Sequence, residues 1–437
     1  MKIIKTDAVD FVEFFRKLRQ RGGAFTPKLL SSVAEIVSTV ATKGDEALFY
    51  YTAKFDHQEL NEKTVEVTPA ERKEALAQVK PEDWKVIKLA AGRIEKYHRH
   101  QIVRGWSVND ERGIELGQRV FPLQRVGIYA PGGKAFYPST LLMAAIPARL
   151  AGVKEIILAT PVKGGKLNPL IAAAAEISGV QRIFKIGGAQ AIAALAYGTK
   201  SIPQVDKIVG PGNAYVAAAK KMVFGQVGID MIAGPSEILI IADKTAKASF
   251  VAADMLAQAE HDEMAAAVLL TPSENLAREV SREADKQLKS LARKEIIESS
   301  LTKYGAIIIT KDIKEAVEMV NLFAPEHLEL MVENPEKILK QVRNAGSVFL
   351  GSFTPEALGD YIAGANHILP TGGTARFSSP LGVYDFVKRM NVLSFSPNAL
   401  EKLSKQTVRF AQMEGLDAHA NSVIVRNNNI KKGSKDG

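Results

Sequence analysis

The fold is decided by residues 126–159, which read VGIYAPGGKAFYPSTLLMAAIPARLAGVKEIILA. The two ends of this stretch, Val126–Tyr129 and Glu155–Ala159, are short apolar runs with β-branched residues, a pattern typical of buried strands. The Ala-rich segment Ser139–Ala151 between them predicts a helix. A strand, a helix and a second strand at this interval predict a parallel βαβ unit.

The same alternation continues along the chain. Strand-like runs follow at residues 182–186 and 207–209, with helical segments at 170–177, 189–197 and 214–223. A second series has strand-like runs at 238–242, 267–270, 306–309, 328–331 and 348–350, and helical segments at 247–263, 274–291 and 313–322. The chain is therefore predicted to be an α/β protein with two tandem Rossmann-like modules, each built on a parallel sheet.

Helical extensions are expected on both sides of the modules. Before residue 120 the apolar residues recur at helical spacing, as in Val33, Ile36, Val37 and Val40. We expect a helical N-terminal region over 1–120 that packs on the second module, a first module over 121–235 and a second over 236–380. Residues 381–437 are expected to form a C-terminal extension with a helix at 400–413.

Composition excludes several classes of protein. The 437 residues are 46% hydrophobic and 24% charged, which is the balance of a globular protein rather than a disordered one. The chain has no cysteine, so a disulfide scaffold, a zinc-thiolate site and a covalent cysteine intermediate are all impossible. Any transition-metal site must use nitrogen and oxygen ligands.

The charges do not indicate a macromolecular partner. Lys and Arg outnumber Asp and Glu by 57 to 48, but the excess is spread along the chain, apart from local basic stretches at 93–104 and 427–437. We therefore expect no nucleic-acid partner. No apolar run reaches the roughly 18 residues that a membrane span needs, and the N-terminus lacks a cleavable signal, so we expect a cytoplasmic protein without membrane contact.

Glycine-rich turns follow three strands of the first module, at residues 130–133, 187–190 and 210–213. In a parallel sheet these turns share the carboxyl edge and lead into helix N-termini, which bind phosphate through free amides. A dinucleotide would fit this edge. The usual GxGxxG pattern is incomplete, however, because Tyr215 stands where the third glycine belongs. An alternative interpretation is that these glycines are ordinary turn residues.

Polar side chains that bind metals or transfer protons occur in four places. Gln258 and His261 lie three residues apart on a predicted helix, a spacing that places both on one face, although a helical His beside acids is also typical of a surface salt bridge. The others are the adjacent pair Glu326 and His327, then Asp360 with His367, and Glu414 with His419. An Asp, two His and an amide oxygen make a mixed site that suits zinc, manganese or iron. The remaining histidines, His57, His98 and His100, are expected at the surface.

Three motifs resemble those of the histidinol dehydrogenase family. They are IDMIAGPSE at 229–237, LAQAEH at 256–261 and APEHLE at 324–329. The resemblance extends in order from Tyr129 through GDY at 359–361 and GANH at 364–367 to Glu414 and His419. The N-terminal region adds only general agreement.

The resemblance implies a zinc-dependent enzyme that oxidises L-histidinol through L-histidinaldehyde to L-histidine with reduction of two NAD. It implies NAD on the first module and the metal and bases on the second. One zinc ion per subunit falls on Gln258, His261, Asp360 and His419, and the catalytic bases fall on Glu326 and His327. The implied NAD contacts are Tyr129, Gln190 and Asn213, and the implied substrate contacts are Ser236, Gln258, His261, His327, Asp360, His367, Glu414 and His419. It also implies a homodimer in which the C-terminal extension reaches the partner's site.

Two other classes fit the same residues. A zinc hydrolase would use a Gln/His/Asp/His metal with the neighbouring Glu and His to activate water on an amide or ester. A non-enzymatic binding protein would use the α/β modules alone, with the polar residues in structural roles. Turnover of NAD would distinguish a dehydrogenase from the hydrolase. Bound metal that is needed for activity would distinguish either enzyme from the binding protein.

Overall fold

The computed structural model describes residues 1–21, 25–110, 113–132, 137–162 and 164–433. The chain divides into a larger unit, residues 1–102 with 123–386, and a smaller unit, residues 103–122 with 387–437. The strands are β1 (Lys2–Lys5), β2 (Trp106–Asp110), β3 (Ile114–Pro122), β4 (Arg125–Tyr129), β5 (Glu155–Ala159), β6 (Arg182–Phe184), β7 (Lys207–Val209), β8 (Gly228–Ile229), β9 (Glu237–Ala242), β10 (Ala266–Thr271), β11 (Ala306–Ile309), β12 (His327–Met331), β13 (Ser347–Leu350) and β14 (Val387–Phe395).

The helices account for most of the remaining described residues. They are α1 (Phe11–Gln20), α2 (Pro27–Lys43), α3 (Asp45–Asp56), α4 (Pro69–Ala77), α5 (Pro81–His98), α6 (Pro138–Ala151), α7 (Pro169–Ser178), α8 (Gly188–Tyr197), α9 (Ala214–Val223), α10 (Ala248–Ala259), α11 (Glu274–Leu288), α12 (Lys294–Tyr304), α13 (Ile313–Phe323), α14 (Pro335–Leu339), α15 (Glu356–Leu358), α16 (Pro397–Met413) and α17 (Asp417–Gly433). A π-helical turn spans Gly359–Ala363, and short 3₁₀ turns span Arg99–Gln101, Thr374–Arg376 and Val383–Phe386.

Two parallel sheets organise the larger unit and confirm the predicted pair of Rossmann-like modules. The first sheet has the order β6-β5-β4-β7-β8, and the second has β1-β11-β10-β9-β12-β13. Counted within each module, both run 3-2-1-4-5, the order of the doubly wound fold, and every pairing in both sheets is parallel. The order reverses between β4 and β7 in the first sheet and between β9 and β12 in the second. Ligands of such folds usually bind near these reversal points at the carboxyl ends of the strands.

The N-terminal helices are distributed over both modules, which corrects the expectation that region 1–120 packs on the second module. Strand β1 and helix α1 pack there, through residues such as Ile4, Phe15 and Leu18, and α5 contacts the π-helical turn at 359–363. Helices α2 and α3 share a core with the first sheet and α8, and α4 and α5 pack against α6 and α7 of the same module. The physical reason is complementarity, since the Ala-rich helices of the first module leave room for the branched side chains of α2.

The smaller unit contains three antiparallel strands in the order β14-β3-β2 and the helices α16 and α17. Residues 103–122 are thus partly strands rather than part of a helical region, because their pairing partner β14 lies far along the chain. Residues 381–386 belong to the larger unit, so the C-terminal extension begins at 387 rather than 381. Among the residues that the structure describes, no helix is long and apolar enough to cross a membrane.

Candidate active site

The candidate site lies where β9 and β12 begin, at the point where the strand order of the second sheet reverses. Glu237 opens β9 and His327 opens β12, and His327 pairs with Ile238 in the sheet. Helix α13 stops before β12 because Ala324 adopts a left-handed conformation with φ of 53° and is followed by Pro325. The turn then delivers Glu326 and His327 side by side to the amino edge of the sheet.

His327 is buried among acceptor groups. Its Nδ1 lies 3.2 Å from the Glu237 carbonyl oxygen and 3.1 Å from Gln258 Oε1. Since both neighbours accept hydrogen bonds, Nδ1 carries the ring proton. Nε2 has no hydrogen-bond partner among the described residues and lies 4.0 Å from Asp360 Oδ1. Burial lowers the pKa of His327 to about 4, so the ring is neutral and its Nε2 lone pair is available for a proton.

Glu326 is buried beside a second carboxyl group. Its Oε2 accepts a hydrogen bond from the Glu237 backbone N–H at 3.0 Å. Burial raises the pKa of Glu326 well above its usual value. The hydrogen bond from the Glu237 N–H lowers it, while the negative charges of Glu237 and Asp360 raise it. A carboxyl with a raised pKa is a stronger base once ionised, which suits the activation of water.

Three ligand-type side chains converge next to His327. The donor atoms of His261, Glu356 and Asp360 all lie within 4.8 Å of one another. Asp360 lies in the π-helical turn. This turn packs so closely on Phe349 that a Cβ at Gly359 would lie 2.6 Å from the ring. Such a mixed nitrogen and oxygen cluster has the chemistry of a divalent-metal site.

Glu356 is a site residue that the sequence analysis missed. Its carboxyl group is buried, both oxygens lack a hydrogen-bond partner among the described residues, and Oε1 lies 3.4 Å from His327 Nδ1. Burial raises the pKa of Glu356 well above its usual value, and the neighbouring Asp360 adds to the shift. No motif marked this residue, because an isolated Glu after a proline carries no spacing signal.

Gln258 and His261 do not share a helix, contrary to the expectation of a helix over 247–263. Helix α10 ends at Ala259, and His261 lies in the following turn, where Asp262 accepts a hydrogen bond from the Met264 N–H at 3.0 Å. Gln258 is fully buried in the last helical turn, with its Oε1 on His327 and its Nε2 without a partner among the described residues.

His367 extends the cluster toward the first module. Its Nδ1 lies 2.9 Å from the Asp360 carbonyl oxygen, and its Nε2 lies 3.1 Å from Thr140 Oγ1 on α6. Burial lowers the pKa of His367. Ser236 directly precedes β9, and its carbonyl oxygen accepts a hydrogen bond from Arg21 at 2.9 Å. The structure thus gathers Gln258, His261, Glu326, His327, Asp360 and His367 in one region, with Ser236 at the start of the adjacent strand.

The residues expected to contact NAD lie at the carboxyl edge of the first sheet. Tyr129 ends β4, and its hydroxyl oxygen accepts a hydrogen bond from the Gly188 N–H at 3.1 Å, while burial raises its pKa to about 12. Gln190 is buried, and its Nε2 donates to Asp56 Oδ2 at 3.2 Å. Asn213 caps the N-terminus of α9 by accepting from two backbone N–H groups.

The turns around these residues require glycine. At Gly210, φ is 112° and a Cβ would lie 2.2 Å from the Tyr129 carbonyl oxygen, and at Gly212 a Cβ would lie 2.4 Å from Val216. Gly133 of the first turn lies outside the described residues. The buried pair of Lys220 and Asp230 holds the Gly210 turn, since both side chains bond to its backbone.

Glu414 and His419 belong to the smaller unit. Glu414 follows the end of α16, and His419 lies in the first turns of α17; both are exposed. Their roles as substrate and metal contacts stay predictions. Of the other histidines, His57 and His100 are exposed as expected, but His98 is fully buried between Ile94 and Asn366, so the surface expectation was wrong for it.

Comparisons with known proteins point to one family. A sequence model of histidinol dehydrogenase matches residues 19–427. The chain is 51% identical over 426 residues to the histidinol dehydrogenase of Syntrophotalea carbinolica, which covers 98% of this chain and 99% of that protein. It is 52% identical over 411 residues to that of Aquifex aeolicus, covering 94% and 95% of the two chains. The crystal structure of histidinol dehydrogenase from Elizabethkingia anophelis superimposes with a TM-score of 0.92 at 38% identity, covering 99% of each chain.

Proposed function

The chain belongs to the histidinol dehydrogenase family and is an oxidoreductase, and from that premise we propose that it oxidises L-histidinol through L-histidinaldehyde to L-histidine. Two NAD are reduced in these final steps of histidine biosynthesis. The observation that carries the proposal is the buried neutral His327, which lies beside Glu326 and a cluster of metal-ligand side chains. The cytoplasmic location expected from the sequence stays a prediction.

The ligand residues fit a divalent metal. Orphaned atoms with lone pairs lie in and beside the cluster, namely His327 Nε2 and both carboxylate oxygens of Glu356, all without hydrogen-bond partners among the described residues. Buried atoms of this kind are costly unless something else satisfies them. One zinc per subunit would be held by Gln258, His261, Asp360 and His419, and when bound it would supply a Lewis acid that positions the imidazole and amino nitrogens of histidinol.

The first module fits a dinucleotide. Tyr129, Gln190 and Asn213 stand at the carboxyl edge of its sheet, around glycine turns that are too tight for a Cβ. Without a Cβ at these turns, a ligand can approach the backbone closely at the start of α8 and α9, and helix N-termini of this kind bind phosphate. These three residues are the proposed NAD contacts.

His327 is proposed to remove the alcohol proton. In the neutral ring Nε2 is the unprotonated nitrogen, and Nδ1–H is held by the Glu237 carbonyl oxygen and Gln258. The substrate O–H proton passes to Nε2 as the hydride leaves the adjacent carbon for the nicotinamide. The Nδ1 hydrogen bonds keep the ring oriented while its charge changes.

Glu326 is proposed to act in the second oxidation. The chain has no cysteine, so the aldehyde cannot be held as a thiohemiacetal, and its hydrate is the species that loses the second hydride. Glu326 takes a proton from the water that adds to the aldehyde carbon. Its buried position makes the ionised carboxylate a strong base.

The smaller unit is proposed to form a homodimer interface. It exposes an unusual number of large apolar side chains, including Trp106, Val108, Leu393, Phe395, Phe410 and Met413. A second copy of the chain would cover them and bring its Glu414 and His419 to the site.

The most informative test of this function is the formation of NADH with histidinol as the sole substrate, followed by absorbance before and after chelation. We expect two NADH per histidinol and loss of turnover when the metal is removed. An absence of NADH formation by the metal-loaded protein would refute the proposal and favour the hydrolase or binding-protein alternatives.

A further inference from the structure

Arg21 reaches the candidate site from a distant part of the chain. It follows α1, which is anchored on the second sheet by Phe15 and Leu18. The Arg21 side chain is only 3% exposed. A buried guanidinium is retained only where it has strong partners, so its contacts indicate what it does.

Arg21 binds the two residues before β9 and the first residue of β9. Its Nη2 donates to the carbonyl oxygens of Pro235 at 3.2 Å and Ser236 at 2.9 Å, and lies 2.9 Å from Glu237 Oε2. One nitrogen therefore ties together the backbone on both sides of Ser236. Nε and Nη1 are also buried and have no hydrogen-bond partner among the described residues.

Glu237 connects Arg21 to the proposed bases Glu326 and His327. Its backbone N–H donates to Glu326 Oε2 at 3.0 Å, and its carbonyl oxygen lies 3.2 Å from His327 Nδ1. Its Oε1 accepts a hydrogen bond from the Gly372 N–H at 3.1 Å. Displacement of Glu237 would therefore move both bases.

The charges around Glu326 are mostly negative. The groups that face it are Glu237 on β9, Asp360 on the π-helical turn, Glu356 on α15, His327 on its own strand and Arg21 after α1. Burial and the negative charges of Glu237 and Asp360 raise the pKa of Glu326, whereas the hydrogen bond from the Glu237 N–H and the charge of Arg21 lower it. Arg21 also lowers the pKa of Glu237.

We propose that Arg21 is a positioning residue of this site, which fixes the turn carrying Ser236 and places a positive charge beside Glu237, the residue whose backbone N–H binds Glu326. The proposal rests on the proposed function, because it assigns Glu326 a role in aldehyde oxidation. In this role Arg21 acts through Glu237 and the Ser236 turn.

The test compares Arg21→Met, Arg21→Lys and the control Arg19→Met in the metal-loaded enzyme, since Arg19 is exposed on the same helix. Histidinol oxidation and histidinaldehyde oxidation are each followed over a range of pH. For Arg21→Met we expect the acidic limb of aldehyde oxidation to move up by about one pH unit, with about a tenfold loss of rate on that limb. The KM for histidinol should rise because the Ser236 turn is released.

Arg21→Lys separates charge from geometry. The acidic limb of the pH profile for aldehyde oxidation should stay where it is in the wild type, because the positive charge remains. The KM for histidinol should still be raised, because an ammonium lacks the two parallel N–H donors of a guanidinium group. If Arg21→Met does not fold, an upward-shifted limb in Arg21→Lys overturns the proposal. The proposal is also overturned if Arg21→Met leaves the acidic limb of aldehyde oxidation unshifted and lowers the rates of both oxidations equally. No NADH from the wild-type protein would instead refute the proposed function.

Discussion

At the residue scale, the proposed roles of Glu326 and His327 follow from their different surroundings. Burial leaves His327 neutral with a free Nε2, whereas it raises the pKa of Glu326. The two side chains are adjacent in sequence, and His327 Nδ1 is 3.8 Å from Glu326 Oε2. Two groups with opposite pKa shifts are suited to two successive proton transfers.

The roles are separable by substitution. We expect Glu326→Gln to reduce aldehyde oxidation more than alcohol oxidation, because Gln cannot take a proton from water. His327→Ala should reduce both by about 10²-fold or more. Steady-state rates on histidinol and on histidinaldehyde provide the measurement, with exposed His100→Ala as the control. Equal losses on the two substrates for Glu326→Gln would contradict this division.

Some of the site was predictable at this scale and some was not. Recognisable sequence motifs contain five of the site residues, namely Gln258, His261, Glu326, His327 and Asp360. Arg21 and Glu356 carry no motif, and their roles arise from contacts that tertiary folding alone creates. His98 shows the reverse error, because a His in a polar segment turned out to be fully buried.

At the element scale, the site depends on how β12 and β13 begin together. The Gly346 N–H donates to the Pro325 carbonyl oxygen and the Ser347 N–H donates to the Glu326 carbonyl oxygen, each at 2.9 Å. A Cβ at Gly346 would lie 2.5 Å from the Glu326 carbonyl oxygen. The strand backbone therefore holds Glu326 only if residue 346 is glycine.

Gly346→Ala should move Glu326 and lower the rate of aldehyde oxidation by about tenfold or more. The matched control is Gly92→Ala on α5, where a Cβ meets nothing within 4 Å. The control should keep full activity and gain about 0.5–1 kcal/mol in unfolding free energy, as expected for Gly replaced by Ala in a helix. Wild-type rates for Gly346→Ala would show that the turn tolerates the displacement.

Most strands and helices of the modules were predictable because periodicity is a local signal. The sequence pattern did not predict β1, β2, β3, β8 or β14. Strand β1 joins the second sheet beside β11, about 300 residues away in sequence, and β3 pairs with β14 across a similar distance. Their formation is decided by distant partners, so no local pattern marks them.

At the scale of the whole molecule, the two modules share one strand order without visible sequence repetition. Hydrophobic pattern predicted the modules, but it could not predict which of them each N-terminal helix would cover. The second module buries several carboxyl groups near its reversal point, and this affects the stability of the whole chain.

The metal-free protein should lose stability as pH rises. The pKa of Glu356 is raised in the folded state, so its contribution is fully present below the unfolded value near 4.5 and is lost as pH rises through the folded pKa. His327 acts in the opposite direction, because its folded pKa is about 4 against 6.5, and its contribution is lost as pH falls between them.

Thermal unfolding of metal-free Glu356→Gln tests the effect of this carboxyl group. We expect a smaller decline in Tm as pH rises above about 4.5 than in the wild type, and no difference in slope below that pH. Exposed Glu318→Gln serves as the control and should follow the wild-type curve. A Glu356→Gln curve parallel to the wild type above about pH 4.5 would show that Glu356 ionises in the folded chain without cost.

Sharing of sites between subunits is testable by mixing two inactive variants. His261→Ala and His419→Ala should each lose the metal and activity. If His419 acts across the interface, a heterodimer of the two contains one intact site, and activity should return after the subunits exchange. No recovery in a verified heterodimer would place both ligands within one subunit.

Crystals of the zinc-loaded protein, measured on both sides of the zinc absorption edge, test the central claim most directly. The account predicts one anomalous peak per subunit, in contact with Gln258, His261 and Asp360 and with a His419 side chain. A peak elsewhere, or no peak between these residues in an active sample, would contradict it.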